Sequence, residues 1–214
     1  FDFIKEVSPV DKTIIFFLIY GESKFDERFS YRNKSYRQVI QDFNKNGYSI
    51  GIHPSYVTFL HKSALEFEKV MLEKVTGSKI ELSRQHYLRY RLPKTYRLLN
   101  EIGIRHEYTA CLNADVGFRN FTATPLPWFD LVGNKMTEMM VHPVMAMDVV
   151  LKDNLNLGHK GAFETIKKLI DETEAVRGKF ALIWHNSNLC EEFGWGGWTD
   201  LVRKTVEYLK EKEH

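Results

Sequence analysis

Short apolar runs of strand length alternate along the chain with longer stretches whose apolar positions recur every three to four residues. That alternation favours a parallel β/α architecture over a sandwich or a helical bundle. The run "TIIFFLIY" (13–20) is continuous, β-branched and aromatic, as a strand buried on both faces requires. "YRQVIQDFNKNG" (36–47) carries apolar residues at helical spacing and stops at Gly47, a C-terminal capping glycine. "YSIGIH" (48–53) reads as the next strand and "SALEFEKVMLEKVTG" (63–77) as an amphipathic helix with its own terminal glycine.

The same alternation continues downstream. "KIELSRQHYLR" (79–89) is a strand with the turn after it, "KTYRLLNEIG" (94–103) a helix and "HEYTACL" (106–112) a short strand. Residues 113–131, "NADVGFRNFTATPLPWFDL", read as a long irregular connection, and such loops carry function more often than not. "TEMMVHPVMAMD" (137–148) is expected as one strand, with Pro143 marking a bulge or an edge. "FETIKKLIDETEAVRG" (163–178) and "TDLVRKTVEYLKEK" (199–212) read as helices around the strand "KFALIWH" (179–185), with Thr199 as the N-cap of the closing helix. "FDFIKEVSP" looks like the tail of a helix, so a seventh strand is expected upstream of Phe1. The fold class is α/β: one domain, a distorted (β/α)7-type barrel whose first strand precedes the chain.

Composition narrows the function. The 214 residues are 43% hydrophobic and 14% aromatic, enough for a large core and unlike a disordered chain. Thirty basic against 28 acidic residues leave a net charge of +2, which argues against nucleic acid and for a neutral or small ligand. Cys111 and Cys190 leave a disulfide and two free thiols equally open. No apolar run approaches the ~18–20 residues of a membrane span, and the first residues lack a signal pattern. A soluble chain, cytoplasmic rather than secreted, is expected.

In a parallel barrel the loops leaving the carboxyl ends of the strands converge on the active site. Here the strand ends offer His53, His86, Asp148 and His185, and the long loop offers Asp115 and Arg119. His53 is either a ligand at a strand lip or a core histidine with one hydrogen bond. His86 lies between Arg84 and Arg89, whose charges favour the neutral, metal-binding imidazole, or it is simply buried in its strand. His185 closes "ALIWHNSN" and suits a general acid, with Asp148 of the neighbouring strand to orient it. Arg119 follows Gly117 and could pair a substrate oxygen or form a surface ion pair; Asp115 serves equally as a turn-former. Trp195 and Trp198 in "FGWGGW" either offer ring faces to a sugar or cover the barrel rim, and Tyr56 joins them as a substrate contact. His142 reads as structural; His61, His106, His159 and His214 receive no role.

Taken in order, "IGIHPSY", "SRQHYLR", "GFRNFTATP", "VMAMD" and "LIWHN" resemble a divergent bacterial branch of the polysaccharide deacetylases, the carbohydrate esterase family four fold. The resemblance implies metal-dependent removal of acetyl groups from N-acetylated or O-acetylated sugars or polysaccharides, with a divalent ion, zinc by preference, activating water. It implies His53 toward the metal, Arg119 as the residue that orients the base, His185 as the acid and Asp148 as its partner; His86, on the next strand, is inferred to replace the family's second histidine. The chain departs from the pattern in two places. Val57 stands four residues after His53, where the family's second histidine belongs, and the acidic motif of the opening strand is expected before Phe1. Weak metal binding and slow turnover follow from both. The rival reading is a barrel that has abandoned chemistry and serves as a carbohydrate-binding or scaffold protein.

Overall fold

The computed structural model describes residues 1–27 and 30–212; His214 lies outside them. The elements are α1 (Asp2–Val7), β1 (Ile14–Phe17), α2 (Lys34–Lys45), β2 (Ser49–Ile52), α3 (Lys62–Thr76), β3 (Leu82–Ser83) and α4 (Lys94–Glu101). They continue with β4 (His106–Ala110), β5 (Leu126–Asp130), β6 (Lys135–Pro143), β7 (Ala146–Met147), α5 (His159–Ala175), β8 (Leu182–Ile183) and α6 (Trp198–Glu211). The chain is α/β, and its contacts divide it into two compact units.

The first unit comprises residues 10–109 and 126–142 and is built on a six-stranded sheet in the order β1-β2-β3-β4-β6-β5. β1 pairs β2, β2 pairs β3 and β3 pairs β4, all in parallel. Parallel strands need crossovers, and α2, α3 and α4 supply them. Asn33 caps α2 by accepting the Tyr36 N–H at 3.1 Å, and Ile40 and Phe43 turn its apolar face to the core. α3 buries Leu65, Leu72 and Val75 along one stripe and ends where Gly77 adopts φ +71°, a left-handed cap that a Cβ would strain.

The second unit comprises residues 1–9, 110–125 and 143–214. Its two-stranded parallel sheet pairs Met147 with Ile183. α5 buries Ala162, Ile166, Leu169 and Ile170, and α6 buries Trp198 and Leu201, around Met145, Ala146 and Leu151. A π-helical turn, Val150–Asn154, follows β7; such turns are rare and recur at functional sites.

Four expectations are corrected. Among the described residues neither sheet closes, so the barrel is replaced by an open parallel-dominated sheet and a separate two-stranded one. The connection 113–131 ends in β5, which pairs antiparallel with β6; Pro127 masks the strand because proline belongs on sheet edges, where β5 lies. The single strand expected over 137–148 is two strands in two sheets, broken at Val144 and Met145. Gly197, not Thr199, is the N-cap of α6; the Thr199 hydroxyl donates to Glu191 Oε1 at 2.7 Å.

Candidate functional site

In the first unit the site grows from the ends of β1, β2 and β3. The His53 N–H donates to the Phe17 carbonyl at 3.0 Å and the Arg84 N–H to the Ile52 carbonyl at 3.1 Å, so the ladder runs one residue past each strand. His53 Nδ1 then meets the Arg84 carbonyl at 2.5 Å, which makes Nδ1 the protonated nitrogen and buries the ring. The ring centroid of His86 lies 4.7 Å away at 61°.

Asp26 is the residue that sequence reasoning missed. Its buried carboxylate accepts from His86 Nδ1 at 3.1 Å, from the Tyr56 N–H at 2.8 Å and from the Ser23 N–H at 3.1 Å. Burial pushes this carboxyl up, but the bonds from Ser23, Tyr56 and His86 together outweigh it and hold Asp26 below its usual range. The acidic motif of the opening strand was expected upstream of Phe1; within the chain the loop after β1 brings a carboxylate to His86. Nothing in the local pattern "SKFDER" marks it, because the contact spans sixty positions.

The turn after His53 is clasped from below by Glu68 of α3. Ser55 donates its N–H at 2.9 Å and its hydroxyl at 2.5 Å to the two Glu68 oxygens. Burial pushes Glu68 up to about 7, against the Ser55 bonds, which lower it. Glu68 shares the buried stripe of α3 with Leu65, Leu72 and Val75, and a carboxylate in an apolar stripe was the signal to find it. A second buried acid, Glu107 of β4, accepts from Thr109 and Tyr96 and is also raised by burial to about 7.

In the second unit the parallel pairing of β7 and β8 sets Asp148 beside His185. Asp148 is fully buried and accepts four bonds. Oδ1 takes the Val149 N–H at 2.8 Å and His185 Nδ1 at 2.7 Å; Oδ2 takes the His185 N–H and Asn188 Nδ2, both at 2.8 Å. The carboxylate thereby holds the imidazole at ring and backbone together and fixes the proton on Nδ1. The His185 side chain keeps 34% of its surface exposed. Asn188 was not anticipated, although the polar run "HNSN" contained it.

The remaining expected residues have other surroundings. Arg119 Nη1 donates to the Cys111 carbonyl at 2.7 Å, and Asp115, exposed, accepts the N–H of its own neighbour Val116. Trp195 and Trp198 are 7% and 3% exposed and pack 5.2 Å apart within the core, so their faces meet protein. Tyr56 lies against Phe25 and under the Arg89 guanidinium. His142 stacks on Tyr108 at 4.2 Å and bonds His106 at 2.9 Å.

The donor types at His53, His86 and Asp26 suit a divalent ion, and both imidazoles have Nδ1 engaged by an acceptor, the arrangement that makes Nε2 the donor nitrogen. Among the described residues, however, no three His, Cys, Asp or Glu side chains are grouped so as to hold one. Asp26 is committed to His86 and to two backbone N–H groups. The set as it stands is partial. Among the described residues no helix is long and apolar enough to cross a membrane.

No family model and no curated protein matches the chain. Its fold is similar to that of a Mycobacterium smegmatis crystal structure described as a "putative polysaccharide deacetylase", with a TM-score of 0.58 and 16% sequence identity. The match covers 85% of this chain and 62% of that one, so the chain spans less than two thirds of that protein's length. The comparison establishes likeness of fold alone: a mixed α/β chain with a parallel-dominated sheet.

Proposed function

We propose that the chain is a hydrolase of the deacetylase type, acting on acetylated sugars or polysaccharides, with His185 as proton donor and Asp148 as the group that orients it. The observation that carries this reading is the fourfold bonding of the buried Asp148 carboxylate, which fixes His185 in one tautomer and one orientation. A histidine so held moves a proton at Nε2 without losing its place, and an adjacent carboxylate stabilises the charged imidazolium formed on the way. The resemblance of the ordered motifs and the likeness of fold support this choice of substrate class.

In this reading His53 and His86 are donors to a divalent ion, zinc by donor type, and Asp26 fixes the orientation of His86. When bound, such an ion lowers the pKa of water and polarises the acetyl carbonyl. With a partial donor set its affinity is weak. Arg119, tied to the Cys111 carbonyl, is assigned a positioning role.

The test is acetate release from N-acetylglucosamine oligomers with zinc, cobalt or manganese supplied. The reading expects slow release that is lost in His185→Ala and reduced in His53→Ala. Absence of release with every ion, together with no effect of His53→Ala on metal uptake, overturns it. One observation favours a second reading, a carbohydrate-binding protein without chemistry: the Asp26 carboxylate is already committed within the fold. That reading expects glycan binding with no acetate released.

A further inference from the structure

Beside His86 the first unit carries a corner of aromatic rings that the reading above does not use. Phe25 is tilted against Tyr56, 4.2 Å between centroids and 32° between planes, and the Lys24 ammonium lies over the Phe25 ring 5.1 Å from its centroid. Tyr87 stands at 90° to Tyr56, 5.4 Å away, and at 71° to Phe25, 5.9 Å away. Tyr87 also touches the His86 ring at 4.7 Å. Tyr56 is the buttress of this corner: Phe25 lies against it, the Arg89 guanidinium sits 3.8 Å from its centroid, and Arg89 Nη1 donates to the Tyr56 carbonyl at 2.8 Å. The rings left to solvent are Phe25, 38% exposed, and Tyr87, 61% exposed.

The backbone holds Tyr87 there against its own preference. Tyr87 and Leu88 have φ of +54° and +52°, two consecutive side-chain-bearing residues in the left-handed region. Single non-glycine residues reach this region rarely, and strain of this kind collects at ligand clamps. The ring is a large apolar face that folding leaves in water although the turn that carries it is costly to make.

The loop that supplies Phe25 also supplies polar groups. A hollow of about 570 Å³ opens along it, lined by Gly21, Glu22, Ser23, Lys24 and Asp26, within the ~300–1,000 Å³ of typical ligand sites. The exposed Phe25 ring shares its loop with these hydroxyl, carboxylate and ammonium groups, a combination that matches a ligand with one apolar face and a polar rim. A hexopyranose has that character: its axial C–H bonds form a flat apolar face and its hydroxyls lie around the edge.

We propose that Phe25 and Tyr87, buttressed by Tyr56 and Arg89, form a stacking subsite for one pyranose ring of a neutral glycan, next to His86. The inference rests on the deacetylase reading for its substrate class and on its own geometry for its place. Phe25 and Tyr87 thus take the platform role that the sequence suggested for Trp195 and Trp198.

The test is calorimetric titration of the N-acetylglucosamine tetramer into the full chain and three variants, with acetate release followed on each. Tyr87→Gly removes the ring while suiting the left-handed backbone, so lost binding is not lost folding. Phe25→Ala removes the second ring, and Tyr87→Phe keeps the first. Binding about three- to tenfold weaker in Tyr87→Gly and Phe25→Ala, and unchanged in Tyr87→Phe, is expected. If that pattern holds with no acetate released by the unsubstituted chain, the subsite stands and the hydrolase reading falls. If acetate is released with the same KM in Tyr87→Gly as in the unsubstituted chain, the hydrolase stands and the subsite falls. No glycan binding by the unsubstituted chain, or self-association in sedimentation that Tyr87→Gly abolishes, also overturns the subsite.

Discussion

Asp148–His185 and Asp26–His86 are both carboxylate–imidazole pairs joined through Nδ1 and Oδ1, at 2.7 Å and 3.1 Å, yet the chain builds them by different means. Asp148 and His185 follow two paired parallel strands, and the register of β7 and β8 brings them together. Asp26 belongs to a loop and reaches His86 through a turn that Tyr56, Ser55 and Glu68 hold in place. Asp148 also bonds the backbone of its own histidine, whereas Asp26 bonds the backbone of Tyr56 and Ser23 instead. A strand-end pair is therefore locked by the ladder itself, and a loop pair by hydrogen bonds from the backbone of the loop and turn around it. The first arrangement suits repeated proton transfer at fixed geometry; the second suits orientation of a ligand-binding imidazole.

The comparison breaks most visibly at Asp148. Asp148→Ala removes a buried acceptor from four donors and is expected to cost about 3–5 kcal/mol of stability, read as a lowered denaturation midpoint. Asp148→Asn keeps the shape but presents an N–H where one donor needs an acceptor, and a smaller loss is expected. Should Asp148→Ala unfold at the same denaturant concentration as the unsubstituted chain, the four bonds are not holding the fold.

The next effect is a pH dependence. Glu68 and Glu107 have an ordinary value of 4.5 and are raised by burial to about 7, so the folded chain binds their protons more tightly than the unfolded chain does. Their favourable state is whole below pH 4.5, and stability falls as the pH rises through about 7, by on the order of 3 kcal/mol for each group. Glu68→Gln keeps the Ser55 clasp without a charge, so the fall between pH 5 and 8 should shrink in chemical denaturation series. An identical pH slope in Glu68→Gln and the unsubstituted chain refutes the assignment.

The smallest effect is expected at the loop pair. Asp26→Asn keeps an oxygen acceptor for the Tyr56 N–H and should cost about 1 kcal/mol, well under the cost at Asp148. Its readout is local: His86 ring resonances in NMR should shift while those of His185 do not. Equal costs at the two aspartates would erase the distinction between strand-built and loop-built pairs.

How much of this was legible follows the same division. The β/α alternation, the capping glycines and the strand-end residues His53, Asp148 and His185 are local patterns, and the structure places each where its segment predicts. β5 was hidden by Pro127, which reads as a breaker until an antiparallel partner makes it an edge strand. Whether strands close into a barrel depends on pairings between distant segments, and hydrophobic period is silent on these. Asp26 was missed because its partner lies sixty positions away. The tryptophans of "FGWGGW" were open to either reading because neighbouring glycines say nothing of which way a ring turns; both rings pack into the core. A Trp198→Ala change should therefore act on stability, by about 3–5 kcal/mol.

The central claim is that the clasped His185 moves a proton in acyl hydrolysis. It is tested most directly by acetate release from N-acetylglucosamine oligomers, measured at saturating metal for the unsubstituted chain and for His185→Ala side by side. A loss of kcat of about 10²–10⁴-fold in His185→Ala, with its circular dichroism and denaturation midpoint close to those of the unsubstituted chain, is the predicted result. Release at an equal rate by the two proteins would contradict it.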